Sequence, residues 1–359
     1  MPKKKILTVV GARPQFIKCA ALSKQLRVYF HEIIVHTGQH YDHNLSDNFF
    51  QELNIPTPDY NLNALGGMAI PQIADIMIKF QDIVQKENPD AIIVFGDTNS
   101  TAAASIVAAK NNIRLVHIEA GMREFDKSIP EETNKLITDI LADYYFCPTP
   151  TAVKWLAEMG ITSNVFHSGD IMIDLIETYR GAIEQNTAIL GKFNVTQKNY
   201  VFATCHRAAN TDNAENLKAI LSALGQIDVK VIFPIHPRTQ SAIKEFGYEE
   251  LLKAPNIIVS APIGYVDTQS LIKFAKIVIT DSGGITKECF YHATPGILTD
   301  KQTEWIETVE QGWNIQAGPY SYKILEAYKN FKLPLKHQNV LGQGNAALII
   351  AEQLNNLLN

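Results

Sequence analysis

"AKIVITDSGGITKECF", residues 275–290, is the stretch from which the fold can be read. A short apolar, β-branched run stops at Thr280-Asp281-Ser282, two glycines follow, and a helical pattern begins. Gly283 and Gly284 have no Cβ, so a ligand can approach the backbone closely there. The helix behind them presents unpaired N–H groups and the positive end of its dipole. A diphosphate suits such a place, although Ser-Gly-Gly with Ser282 as cap is also an ordinary strand-to-helix turn. A nearly all-apolar strand that feeds a helix is the unit of a parallel sheet covered on both faces.

The same unit recurs along the chain. "KILTVV", "EIIVHTG", "AIIVFGD", "RLVHIEAG", "YYFCPT" and "NVFHSGD" read as strands, and "YVFATCH", "KVIFPIH", "NIIVSAP", "IVITDSG" and "GILTD" form a second set. Helical patterns over 71–87, 99–110, 131–143, 214–226 and 268–276 alternate with them. Strand–helix alternation of this kind predicts an α/β fold with doubly wound parallel sheets. Residues 181–199 carry no strand signal and read as a connector, so two Rossmann-like domains are expected, over 1–180 and 195–343, with a crevice between them. Residues 344–359 read as a terminal helix that packs back on the first domain.

Composition agrees with two such domains. The chain has 359 residues, 46% apolar and 19% charged, which is enough for two full cores. A net charge of -5 argues against a nucleic-acid partner. No run approaches the roughly 18 apolar residues of a membrane span, and the apolar run after the basic start is too short for a signal segment. A cytoplasmic protein is expected. The four cysteines are scattered, with neither a zinc pattern nor a disulfide framework.

Polar residues gather where strands stop. Arg13 and Lys18 follow the first strand, Asp97 the third, and His117, Glu119 and Arg123 the fourth. His206 and Arg207, then His236 and Arg238, follow strands of the second half. Ligands in such sheets bind beyond the carboxyl ends of the strands, so these residues are site candidates. Pro130-Glu131-Glu132 is a model helix start, and Lys135 lies one turn beyond Glu131, so an exposed ion pair competes there with a functional reading. His36, His40 and His43 fit no common zinc spacing, and no metal is expected. No G-x-G-x-x-G or G-x-x-x-x-G-K-[ST] fingerprint is present, which disfavours a dinucleotide oxidoreductase and a P-loop phosphotransferase. Cations and a helix N-terminus on one side, with carboxylates on the other, describe a site for a sugar diphosphate whose sugar undergoes proton chemistry.

Taken together, "GARPQFIK", "HTGQHYD", "GDTNST", "HIEAGMR", "PEETNKLITD", "HPRT", "TDSGG" and "QTEWIETVEQGWN" make the chain similar to the non-hydrolysing UDP-N-acetylglucosamine 2-epimerases. That family includes a branch acting on UDP-2,3-diacetamido-2,3-dideoxyglucuronic acid. The resemblance implies two Rossmann-like domains in the glycosyltransferase-B arrangement, no external cofactor, and a homodimer. It implies that Ser282, Gly283, Gly284 and Glu288 hold UDP, Glu288 through the ribose hydroxyls. Arg13 and His206 would neutralise charge nearby, and Asp97, Glu119 and Glu131 would surround the sugar. Catalysis would fall to Asp97, Glu119, Glu131 and His206, with Lys18, Arg123, Lys135, Arg207 and His236 completing the binding set.

Four positions depart from the family pattern: Lys135 for arginine, Ala209 for glutamate, Thr286 for glutamine, and Asp300 for arginine. Asp42 also stands where some members carry a glutamine that helps bind an activator. A glycosyltransferase of similar fold and a UDP-sugar-binding protein without catalysis are the competing readings.

Overall fold

The computed structural model of the protein describes residues 3–38 and 56–359, and at Arg13 the backbone alone. His40, His43 and Asp42 lie outside the described residues. The chain forms two compact units, one of residues 1–178 with 340–359 and one of 179–339.

In the first unit seven parallel strands run β1 (Lys5–Val10), β2 (His31–His36), β3 (Tyr60–Asn61), β4 (Ala91–Phe95), β5 (Arg114–Ile118), β6 (Tyr144–Cys147) and β7 (Val165–His167). Their order in the sheet is β3-β2-β1-β4-β5-β6-β7. Thr8 of β1 stands opposite Ile34 on one side and Ile93 on the other, so the chain reverses its winding between β1 and β4. Ile6, Leu7, Ile92, Val94, Leu115 and Val116 are wholly buried, because helices cover both faces and leave no polar side.

The second unit repeats the plan with β8 (Tyr200–Ala203), β9 (Lys230–Pro234), β10 (Ile257–Ser260), β11 (Ile277–Thr280), β12 (Gly296–Leu298) and β13 (Asn314–Gln316). The order is β10-β9-β8-β11-β12-β13, all parallel, and winding reverses between β8 and β11. The reversal therefore opens at the ends of "YVFATCH" and "IVITDSG", and a reversal of this kind leaves a crevice where ligands bind.

Two details differ from the reading of the sequence. Residues 181–199 are not a bare connector: helices Arg180–Gln185 and Ala188–Lys192 lie within the second unit and bury Ile183, Ile189 and Leu190. The units accordingly divide at 178/179 and 339/340 rather than at 180–195 and 343/344. Strands β3 and β13, of two and three residues, carry too little pattern to be seen in sequence.

The final helix, Ala346–Leu358, packs in the first unit on the helices Arg13–Tyr29 and Ile171–Thr178. Asp174 accepts the N–H groups of Ala346 at 3.0 Å and Ala347 at 2.8 Å, filling two of the helix's open donors. Among the described residues, no helix is long and apolar enough to cross a membrane.

Candidate active site

In the first unit, Gln15 sews the reversal point together. Its Oε1 accepts the N–H groups of Gly11 (2.8 Å) and Ala12 (3.1 Å), while its Nε2 donates to Phe95 O at 2.8 Å. The ends of β1 and β4 are thereby held in one register. The turn that follows β4 passes through Gly96 at φ +58°, a region that favours glycine. A Cβ there would stand 3.1 Å from Glu119 Oε2 and 3.5 Å from Lys18 Nζ, so glycine also leaves the room these two charges occupy. Lys18 and Glu119 form an ion pair, their side chains 8% and 14% exposed. Glu119 itself sits at φ +67°, a conformation rare for a side chain of its kind and frequent at functional sites.

Asp97 follows Gly96. Lys135, 3% exposed on the helix Pro130–Leu141, reaches Asp97 Oδ2 at 3.5 Å and Glu124 Oε2 at 3.3 Å. Asn134 donates to Asp97 O at 2.9 Å. Adjacent strand ends thus present two carboxylates, each paired with a lysine withdrawn from solvent. That arrangement suits proton transfer, because each carboxylate is held in a fixed orientation at a strand end where a sugar can meet it.

Beneath them lies a network that sequence reading saw only in part. His117 Nε2 lies 2.8 Å from Gly96 O, and Nδ1 lies 2.5 Å from Asp139 Oδ1. Asp139 Oδ2 accepts from Arg123 Nη2 at 2.6 Å and Gly121 N at 3.1 Å. Burial pushes the Asp139 carboxyl up, but His117 and Arg123 together outweigh it, and the net is a carboxyl below its ordinary value. Arg123, 3% exposed, also donates to Met122 O, so the residue expected at the substrate is committed to the fold's interior. Glu131 is exposed at the helix start, and its neighbour Glu132 is the buried one, accepting Glu124 N at 2.8 Å. Asp139 could have been found from the helix pattern: Glu132, Lys135 and Asp139 are charges spaced three and four apart on one face, and all are buried.

In the second unit, Asp281 organises the reversal point. Its carboxylate accepts His206 N–H through both oxygens, at 3.0 and 2.9 Å, and Arg207 N–H at 2.9 Å. Asn210 Nδ2 adds a contact at 3.2 Å. The loop after β8 is therefore tied to the end of β11. Ser282 Oγ caps the helix Gly283–Tyr291 by accepting Ile285 N–H at 3.4 Å. Thr286 Oγ1 donates to Ser282 O, and Glu288 lies buried two residues farther on.

Arg207 pairs with Asp300 at 3.0 Å beside Gly283. His206 is half-buried, 3.8 Å from Asp281, and its ring centroid is 5.8 Å from that of His236. His236 is exposed and caps its own helix through Nδ1, which accepts Arg238 N–H at 3.2 Å. Asp281 and Asn210 were absent from the expected set, although Asp281 stands inside the opening motif.

The chain matches the UDP-N-acetylglucosamine 2-epimerase family over residues 23–355. It belongs to that family. The family's 2-epimerases are isomerases of UDP sugars. A UDP-N-acetylglucosamine 2-epimerase homolog of Methanococcus maripaludis is 43% identical, covering 98% of this chain and 100% of its own. The UDP-2,3-diacetamido-2,3-dideoxy-D-glucuronate 2-epimerase of Pseudomonas aeruginosa is 38% identical, covering 98% and 99%. Among solved structures, the Methanocaldococcus jannaschii UDP-GlcNAc 2-epimerase in complex with UDP-GlcNAc and UDP superposes with a TM-score of 0.91 at 36% identity, covering 98% of this chain and 99% of that one.

Proposed function

We propose that the chain is a cytoplasmic, homodimeric non-hydrolysing 2-epimerase that interconverts UDP-N-acetylglucosamine and UDP-N-acetylmannosamine. The observation that carries this reading is the pair Asp97 and Glu119, on adjoining strand ends, each held by a buried lysine. One carboxylate takes the proton from C2 while the C1–O bond breaks and its electrons pass to the departing UDP. The product is a C1=C2 glycal. UDP then adds back at C1, and a proton delivered to the opposite face of C2 completes the inversion. A C2–H beside an acetamido group is a poor acid, so loss of UDP has to accompany its removal.

In this reading the second unit holds UDP: the Gly283–Gly284 turn and Arg207 meet the diphosphate, and buried Glu288 meets the ribose. His206 and Arg13 add positive charge, and Glu131 stands at the exposed end of its helix for the sugar. Lys135 keeps the charge of the family's arginine without its two-pronged geometry. The Pseudomonas relative supports a second reading, a UDP-diacetamido-uronic acid as substrate, since its identity to this chain rivals that of the N-acetylglucosamine enzyme.

Proton NMR of UDP-N-acetylglucosamine with the enzyme in D₂O tests the proposal. Deuterium at C2 together with the manno epimer is the expected result. Turnover of the diacetamido-uronate alone moves the assignment to the second reading. UDP binding with exchange on neither sugar overturns both.

A further inference from the structure

Three side chains from two segments of the second unit converge on Gly283. A Cβ at that position would lie 3.5 Å from Arg207 Nη2, 3.5 Å from Trp305 Nε1 and 3.7 Å from Glu304 Oε1. Glycine therefore leaves a small space against the backbone that two N–H donors and one carboxylate oxygen, of Glu304, face. Trp305 is 1% exposed, and its Nε1 has no hydrogen-bond partner among the described residues. A buried indole N–H without an acceptor is uncommon, because such donors are nearly always satisfied. The Lys287 ammonium lies 4.2 Å from the indole ring centroid and adds positive potential to the same spot.

The opposite wall is acidic. Asp300 Oδ2 lies 3.0 Å from Arg207 Nη1, and Asp300 Oδ1 accepts from Asn210 Nδ2 at 3.2 Å. The space lined by Arg207, Gly283, Asp300 and Trp305 is about 10 Å³, the room of a single water-sized atom, so it would take one oxygen of a larger anion and not a whole phosphate group.

We propose that Trp305 is a phosphate-binding residue whose indole N–H donates to a diphosphate oxygen at Gly283, and that Asp300 is the internal competitor for Arg207. The inference rests on the UDP-site reading above. A diphosphate oxygen supplies the acceptor that Trp305 lacks and draws the Arg207 guanidinium away from Asp300. The Asp300 carboxylate then faces a like charge across a short distance in a half-buried site, which opposes tight binding. Asp300 thus sets affinity for the diphosphate low, so that the UDP-sugar product leaves the site readily once a turnover ends.

The chain has three tryptophans, so an ¹⁵N-indole spectrum holds three resonances. Trp313 already donates to Lys336 O at 3.0 Å and serves as internal reference. Trp305→Phe assigns the resonance. If that variant fails to fold, Trp155→Phe and Trp313→Phe assign it by exclusion. We expect UDP to move the Trp305 resonance downfield, uridine to leave it in place, and Asp300→Asn to tighten UDP binding about tenfold in calorimetry. UDP binding with an unmoved Trp305 resonance, or with Asp300→Asn within twofold of the parent, overturns this inference and leaves the UDP site standing. Failure of the parent protein to bind UDP overturns the proposed function itself.

Discussion

His117 Nδ1 lies 2.5 Å from Asp139 Oδ1, both side chains 1% exposed or less, and the same ring reaches Gly96 O with its other nitrogen. One imidazole thus joins the helix Pro130–Leu141 to the turn that carries Asp97. Removing the ring leaves a buried carboxylate with Arg123 and Gly121 as its remaining partners among the described residues. His117→Ala should lower stability by about 3 kcal/mol, the cost of breaking a buried pair. Urea denaturation measures it, and a loss under about 1 kcal/mol would show that the pair is not holding the turn.

Asp139 and Asp174 respond to acid in opposite directions. The folded Asp139 carboxyl is held below its ordinary value, so its contribution is present above about pH 4 and is lost as pH falls further. Burial raises Asp174 from 3.8 to about 6, against the pull of its two backbone donors. Its folded value exceeds its unfolded one, so its contribution is full below about pH 4 and disappears as pH rises through 6. The shift corresponds to about 3 kcal/mol. Asp174→Asn removes the buried charge and keeps one of the two acceptor oxygens, so one of the Ala346 and Ala347 N–H groups retains its partner. The variant should show a flatter melting profile between pH 4 and 6 than the parent, because the group that titrates there is gone. Parallel profiles for the two proteins would refute the assignment.

Asp97→Asn and Glu119→Gln keep the shape of each side chain and remove its basicity. Each should cut C2 deuterium exchange at least about a hundredfold, the usual scale for a general base. Calorimetric affinity for UDP should change little. An active Glu119→Gln would leave the Lys18 pair without a part in the chemistry.

Asp281→Ala strips the acceptor from the His206 and Arg207 N–H groups. Donors left unpaired near the interior cost about 1–3 kcal/mol each when water cannot reach them. The loop after β8 should loosen, and UDP should bind at least about tenfold more weakly. Unchanged UDP affinity in a folded variant would separate this loop from the site.

Much of the fold and part of the site are legible in the sequence. Eleven of the strands announce themselves because a strand buried on both faces must be nearly all apolar over several residues. Polar residues then stand out where each run stops, which is what marks Lys18, Asp97, Glu119, His206 and Arg207. The helix Gly283–Tyr291 is legible for a different reason: Ser282 as cap and a Gly-Gly approach are local chemistry.

The pairings are not legible. Arg123 reads as a strand-end cation that could meet a substrate, and only packing shows its partner to be Asp139, on the following helix. Glu131 and Glu132 are neighbours of one type, and the helix's rotation about its axis decides that Glu132 is the buried one. Trp305 belongs to a recognisable motif, but its unmet N–H exists only because β11, β12 and the loops beyond them bring it to Gly283.

Sequence by itself determined the α/β class, the doubly wound plan and the strand ends where chemistry gathers, since these follow from hydrophobic period and local turn geometry. Tertiary structure alone decided the strand order, the capping of the last helix by Asp174, and which charges neutralise one another. The reason is physical: periodicity acts over a few residues along the chain, whereas an ion pair or a hydrogen bond is set by distances across it.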